Sequence, residues 1–246
     1  MKAHRMRVPW DMAKAFILLL ISSVSSFARA DAVPFERLSQ NDSVLLIVDH
    51  QVGLFNLARD FDGQLFYRNV IAHAALGKLY DLPVIITTSQ EEGPNGPLPK
   101  EILDMYPDVP VIKRPGEINA WDNAEFRAAV KATGRNQMIV AGIVTDVCVT
   151  FLSLSLREEG YGVWANVEAS GTTSELIRDV SNSRMQAAGV HLAGLFSIAA
   201  DLFKDWRGPP GVAKMSDWYT QYAPAYLLNA QLFNAAIGTS VGNGTR

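Results

Sequence analysis

The chain carries a single cysteine, Cys148, and the residues around it suit chemistry better than packing. It stands in Gly142-Ile143-Val144-Thr145-Asp146-Val147-Cys148, where an apolar run gives way to a turn. A thiol in the first turn of a helix meets unpaired backbone amides, which favour an anion and lower the thiol pKa. The same amides could hold the oxyanion of a tetrahedral intermediate. A filler cysteine would instead sit in mid-helix on the apolar face. Two other places could complete a nucleophilic site. Asp49 directly follows an apolar stretch, in Val48-Asp49-His50-Gln51. There a carboxylate could serve as general base, with Gln51 orienting it or its substrate, or it could merely cap a loop. Lys113-Arg114-Pro115-Gly116 offers a cation able to hold a thiolate and a carboxylate in their charged forms, although the solvent edge is the usual place for such residues.

Other chemistries are poorly served. The histidines, at 4, 50, 73 and 191, show no ligand spacing, so no metal is expected. Gly93 to Gly96 encloses a proline, which removes an amide that a phosphate cradle needs, and no cofactor is expected. The net charge of -3 leaves no basic excess, which argues against nucleic acid and for a small-molecule substrate.

The elements that would position these residues follow from the hydrophobic pattern. Short apolar runs (43–48, 83–88, 109–113, 137–142, 161–167 and 190–195) alternate with amphipathic stretches. Helices are expected over 64–80, from an N-cap at Asp122 with Glu125 behind it, over 146–159 behind a Thr145 cap, over 174–188 and over 197–204. The alternation predicts an α/β domain over residues 31–207: a three-layer α/β/α sandwich with a mostly parallel, doubly wound sheet. Functional side chains then gather beyond the carboxyl ends of the strands, where all three candidates fall. Residues 208–246 lie past the alternation. Their aromatic rings (Trp218, Tyr219, Tyr222, Tyr226, Phe233) suit an arm packed on its own domain or on a neighbouring subunit.

The first thirty residues read as a signal peptide. Lys2, Arg5, Arg7 and Lys14 precede Ala15 to Val24, an apolar run too short to span a bilayer, and Ala28-Arg29-Ala30 fits a cleavage site. The mature chain is expected to be exported, periplasmic or secreted, with no membrane association after cleavage.

Taken together, Asp49-His50-Gln51, Thr87-Thr88-Ser89, Gly93 to Leu98, the run Arg114 to Asn123, Ala141 to Cys148, and Ala169 to Thr172 resemble the isochorismatase-like cysteine hydrolase superfamily, in particular its YcaC-type branch. The resemblance runs in order over residues 36 to 207. It implies a cysteine-dependent hydrolase of a small amide or related C–N bond, with Cys148 as nucleophile and Asp49 as proton acceptor and donor. Where many members carry lysine this chain has Arg114, which stabilises charge but relays no proton. Only one of Lys113 and Arg114 can face the site from a strand, and the register with Pro115-Gly116 favours Arg114. The resemblance further implies a non-proline cis peptide between Val144 and Thr145, aiming amides near Thr145 and Cys148 at the oxyanion. It also implies a homo-oligomer. Asn119 and Trp121 stand as pocket residues, the tryptophan equally as a packing ring. The histidine-bearing metal motif of nicotinamidase-like members is missing from Thr88 to Gly93. The rivals are cysteine-independent vinyl-ether cleavage and a non-catalytic, oligomeric thiol sensor. If the leader reading holds, the mature protein recovered from outside the cytoplasm begins at Asp31 by intact mass; recovery of only full-length cytoplasmic chain contradicts it.

Overall fold

A strand that is apolar on both faces must lie between two helical layers, and Ser43–Val48 (β1) does so at the centre of the sheet. Val44, Leu46 and Val48 enter one buried cluster, and Leu45 and Ile47 enter the other. In this computed structural model, which describes residues 35–238, five further strands follow. They are Val84–Ser89 (β2), Val111–Arg114 (β3), Gln137–Gly142 (β4), Gly162–Asn166 (β5) and His191–Ala193 (β6). The order is β3-β2-β1-β4-β5-β6 with every pairing parallel. The order reverses direction between β1 and β4, which places a crevice at their carboxyl ends.

The helices are Gly63–Tyr80 (α1), Lys100–Met105 (α2), Ala124–Ala132 (α3), Thr150–Glu158 (α4), Glu175–Ala187 (α5), Leu195–Phe203 (α6), Val212–Tyr222 (α7) and Pro224–Ala236 (α8). Residues of α1, α6 and α7 pack with Leu45 and Ile47, while residues of α3, α4 and α5 pack with the opposite face of β1. The three-layer α/β/α reading of the sequence is therefore the architecture of the protein. The chain divides between Arg37 and Leu38, and all the elements named here belong to the second unit. The expected signal segment, residues 1–30, lies outside the described residues. No helix of the described residues is long and apolar enough to cross a membrane.

Two local details differ from expectation, at Asp122 and in β3, while the C-terminal arm packs on its own domain through α7 as expected. Asp122 does not cap α3. It closes a 3-10 turn begun by Asn119, whose Oδ1 accepts from the Trp121 amide, so the cap passes to Asn123, which accepts from the Phe126 amide. The edge strand β3 starts at Val111 and runs through Arg114, which puts that side chain on the sheet itself. The arm beyond residue 207 forms two helices. Met215, Trp218 and Tyr219 of α7 join the core, where the Tyr80 hydroxyl donates to the Ala199 carbonyl at 2.6 Å. Helix α8 buries no residue and leaves Leu228, Leu232, Phe233 and Ile237 exposed.

Beneath the carboxyl end of β1 lie two buried imidazoles. His50 Nε2 meets the Ala169 carbonyl at 2.8 Å, His73 Nε2 meets the Leu46 carbonyl at 3.2 Å, and Asn166 Nδ2 donates to His73 Nδ1 at 3.2 Å. Burial lowers His50 to about 4 and His73 to about 3. Both rings stay neutral in the fold, whereas the unfolded chain takes up protons below about pH 6.5. Stability should therefore fall as the pH drops from about 6.5 to 4, by about 3 kcal/mol for His50 alone. Chemical denaturation across that range should show the loss, and His50→Gln should flatten it; a wild-type profile no steeper than the variant's contradicts the assignment.

Candidate active site

Three chain segments meet where β1, β3 and β4 end. Asp49, the first residue past β1, takes a left-handed backbone (φ 54°), and its amide donates to the Thr87 carbonyl at 3.0 Å. Residues of β3 alternate, so Ile112 and Arg114 turn inward while Lys113 turns out to Glu91 at 3.0 Å. Arg114 is only 1% exposed. Its Nη2 donates to both oxygens of Asp49, whose side chain is fully buried. The Cys148 thiol lies close enough to the Asp49 carboxylate for each to shift the other's titration. The structure thus brings Asp49, Arg114 and Cys148 together, with the carboxylate in the middle.

The turn that presents the thiol is built differently from the simple strand-to-helix junction expected. Ile143 still pairs with Gly171, and the amide of Thr145 donates to the Gly171 carbonyl at 3.0 Å. The chain reverses between those two anchors. Its cis peptide lies between Ile143 and Val144, one residue earlier than the expected Val144–Thr145 bond. A π-helical turn, Thr145–Val149, then precedes α4 and contains Cys148. Thr145 is not an N-cap: its hydroxyl is buried without a partner, and its amide, already bonded, is not free for an oxyanion.

This setting reverses the expected electrostatics of the thiol. Burial is the largest influence and pushes the Cys148 thiol well above its ordinary value. The charge and hydrogen bond of Asp49 push in the same direction, and the Val144 amide and Arg114 oppose them only in part. The expectation of a resting thiolate at a helix end is corrected accordingly: burial and the Asp49 charge favour the protonated thiol. Burial also raises the Asp49 carboxyl, against the pull of the Arg114 guanidinium.

The expected substrate-contact residues serve other ends. Gln51 is fully buried, donates to the carbonyls of Ser89 at 3.0 Å and Gly96 at 2.6 Å, and accepts from the Ser89 amide at 2.8 Å. It braces the glycine- and proline-rich loop and has no group left for a ligand. Trp121 is a packing ring, edge-on to Phe126 and Tyr161 within the core. Asn119 begins the 3-10 turn and reaches Ser155 on α4 at 2.9 Å. Thr87 and Ala169 to Thr172 entered the sequence reading only as part of the resemblance, with no role assigned to them in the site. A threonine in a buried strand carries no signal beyond β-propensity. Among the described residues no group of three or more His, Cys, Asp or Glu could hold a metal ion. A cavity of about 630 Å³ beside α6, α7 and α8, walled by Phe196, Trp206, Tyr219 and Tyr226, borders none of the three site residues.

Comparison with known proteins shows that the chain belongs to the isochorismatase family. The isochorismatase domain model matches residues 43–195. The probable hydrolase YcaC of Escherichia coli is 46% identical over 193 residues, spanning 78% of this chain and 92% of that protein. The structure of YcaC from Pseudomonas aeruginosa, described with hexane-2,5-diol and covalent acrylamide, superposes with a TM-score of 0.79 at 46% identity, covering 82% of this chain and all of that one. The Escherichia coli YcaC structure, described as an octameric hydrolase of unknown specificity, gives 0.79 at 45% identity, over 82% of this chain and 98% of that one. Removing one member of a buried ion pair strands the other charge. Arg114→Met should therefore cost about 3–5 kcal/mol at pH 7, and the loss should shrink in acid as Asp49 takes up a proton. Urea denaturation of both proteins at two pH values checks it; equal stability at pH 7 contradicts it.

Proposed function

Because the chain belongs to the isochorismatase family and is a hydrolase, we propose that it cleaves a small amide or related C–N bond through Cys148, with Asp49 moving the proton and Arg114 holding Asp49 in place. The observation that carries this reading is the meeting of thiol, carboxylate and guanidinium, with Asp49 bonded to Arg114 and its charge acting on the Cys148 thiol.

The chemistry follows from that arrangement. As sulfur attacks the carbonyl carbon, the thiol proton passes to Asp49, so no free thiolate has to be maintained in the apolar surroundings. Collapse of the tetrahedral intermediate breaks the C–N bond, and Asp49 returns the proton to the departing nitrogen. The carboxylate then deprotonates a water that attacks the thioester, giving the acid and restoring the thiol. A carboxyl raised by burial and restrained by Arg114 is suited to both directions of transfer. The raised thiol weighs against a peroxide sensor, since oxidation of cysteine proceeds through the thiolate.

The proposal extends to assembly and location. The Escherichia coli relative is described as octameric, and the exposed apolar row of α8 in this chain is consistent with a homo-oligomer. Export rests on the leader residues alone. A panel of small neutral amides should contain a substrate, and Cys148→Ala and Asp49→Asn should each lower kcat by about a thousandfold or more with the fold intact. Intact mass should catch a thioester during turnover. Full activity in the Cys148→Ala variant overturns the nucleophile assignment.

A further inference from the structure

A guanidinium has five N–H donors. In this chain each of the three Arg114 nitrogens is bonded to the protein, and the side chain is fully buried. Nη2 donates to both oxygens of Asp49. Nη1 gives its pair to the Glu117 and Ile118 carbonyls. Nε donates to the Thr87 hydroxyl at 3.0 Å. That hydroxyl is itself aimed, because it donates to the Ile112 carbonyl at 2.8 Å and so turns a lone pair toward Arg114. Thr87 and Arg114 are both buried, on the adjacent strands β2 and β3. The neighbouring cation, Lys113, faces the other way and pairs with Glu91.

We propose that Arg114 is a closed clamp acting on Asp49 alone, that Thr87 is the positioning residue that aims it, and that the site accordingly accepts neutral substrates and rejects carboxylates. The inference rests on the hydrolase reading above and adds the substrate class to it. An anion brought to Cys148 would meet the Asp49 charge in a poorly screened setting, and Arg114 is fully buried and already bonded at each nitrogen. The titratable and charged groups facing Asp49 are Arg114 from β3 and Cys148 from the turn after β4, while His50 turns away to Ala169 and His73. A vinyl ether bearing carboxylates is disfavoured on the same ground.

The full chain contains one cysteine, so alkylation followed by intact mass reports Cys148 alone. Iodoacetamide and iodoacetate are nearly the same size and differ in charge. With either reagent the S–C bond forms as iodide leaves and the thiol proton passes to Asp49. The wild-type protein should favour iodoacetamide over iodoacetate by at least about tenfold more than 2-mercaptoethanol does, a margin that one buried like charge readily supplies. A ratio equal to that of 2-mercaptoethanol, or one favouring iodoacetate, overturns the closed clamp and needs no variant to fold. Thr87→Val keeps the shape and removes the acceptor. It should slow alkylation and raise the pH midpoint of the rate by about one unit, as a loosened Arg114 stabilises the carboxylate less. Thr87→Ser should stay within about threefold of wild type, because the hydroxyl is kept. An unmoved midpoint in Thr87→Val, or equal damage from Thr87→Ser, overturns the positioning role. If Asp49→Asn leaves the wild-type pH dependence untouched, the hydrolase mechanism itself fails, whatever Thr87 does.

Discussion

The buried ion pair between Asp49 and Arg114 is the constraint around which the site is organised. Neither side chain is exposed. Stripping two such charges of water costs several kcal/mol per ion, so the pair persists only if hydrogen bonds replace the lost hydration. Three strands and a loop supply them. β1 ends at the carboxylate, β3 ends at the guanidinium, β2 contributes Thr87, and the loop after β3 contributes two carbonyls. The parallel register that sets Ser89 beside Arg114 and Val48 beside Thr87 makes this convergence possible. Such a pair is weak evidence for stability, and a methionine–leucine pair of similar volume could pack as well. Its value lies in fixing one carboxylate beside one thiol.

That arrangement changes where the reactivity of Cys148 comes from. A thiol at the open end of a helix would be activated by ionisation before it meets a substrate. Here the sulfur stands in a partly buried π turn, within the influence of the Asp49 carboxylate. Activation is then a proton transfer coupled to attack. The turn is held from beneath as well: Gly171 receives the Thr145 amide, Thr172 donates to Asp146 at 2.6 Å, and His50 secures the Ala169 carbonyl. Gly142 has no room for a side chain, since a Cβ there would lie 2.3 Å from the Val48 carbonyl oxygen. The sulfur is therefore placed by backbone that cannot slide.

Much of this was legible in the sequence, for reasons specific to particular residues. A strand such as Ser43–Val48, apolar without alternation, announces burial on both faces, and the parallel α/β sandwich follows from its repetition. Asp49 and Cys148 stand out because each interrupts an apolar run at a strand end. The choice of Arg114 over Lys113 was readable from strand parity once the neighbouring motif set the register. What escaped was long-range or electrostatic. Gln51 was taken for a ligand group because its neighbour is reactive, yet its partners Ser89 and Gly96 lie some 40 residues on and leave no local trace. The thiol was expected to be ionised because a helix end is visible in sequence, whereas burial and the approach of Asp49 are not. Thr87 was singled out only as part of a motif and given no role, because its partner, Arg114, lies on another strand.

The most direct test is the ionisation of Cys148 itself, read as the ultraviolet absorbance of a thiolate in wild type minus that in Cys148→Ala. The account predicts no thiolate signal from about pH 6 to 9, above which a free thiol would already be largely ionised. A thiolate that titrates at or below about pH 8.5, the ordinary range of a free cysteine, would contradict it.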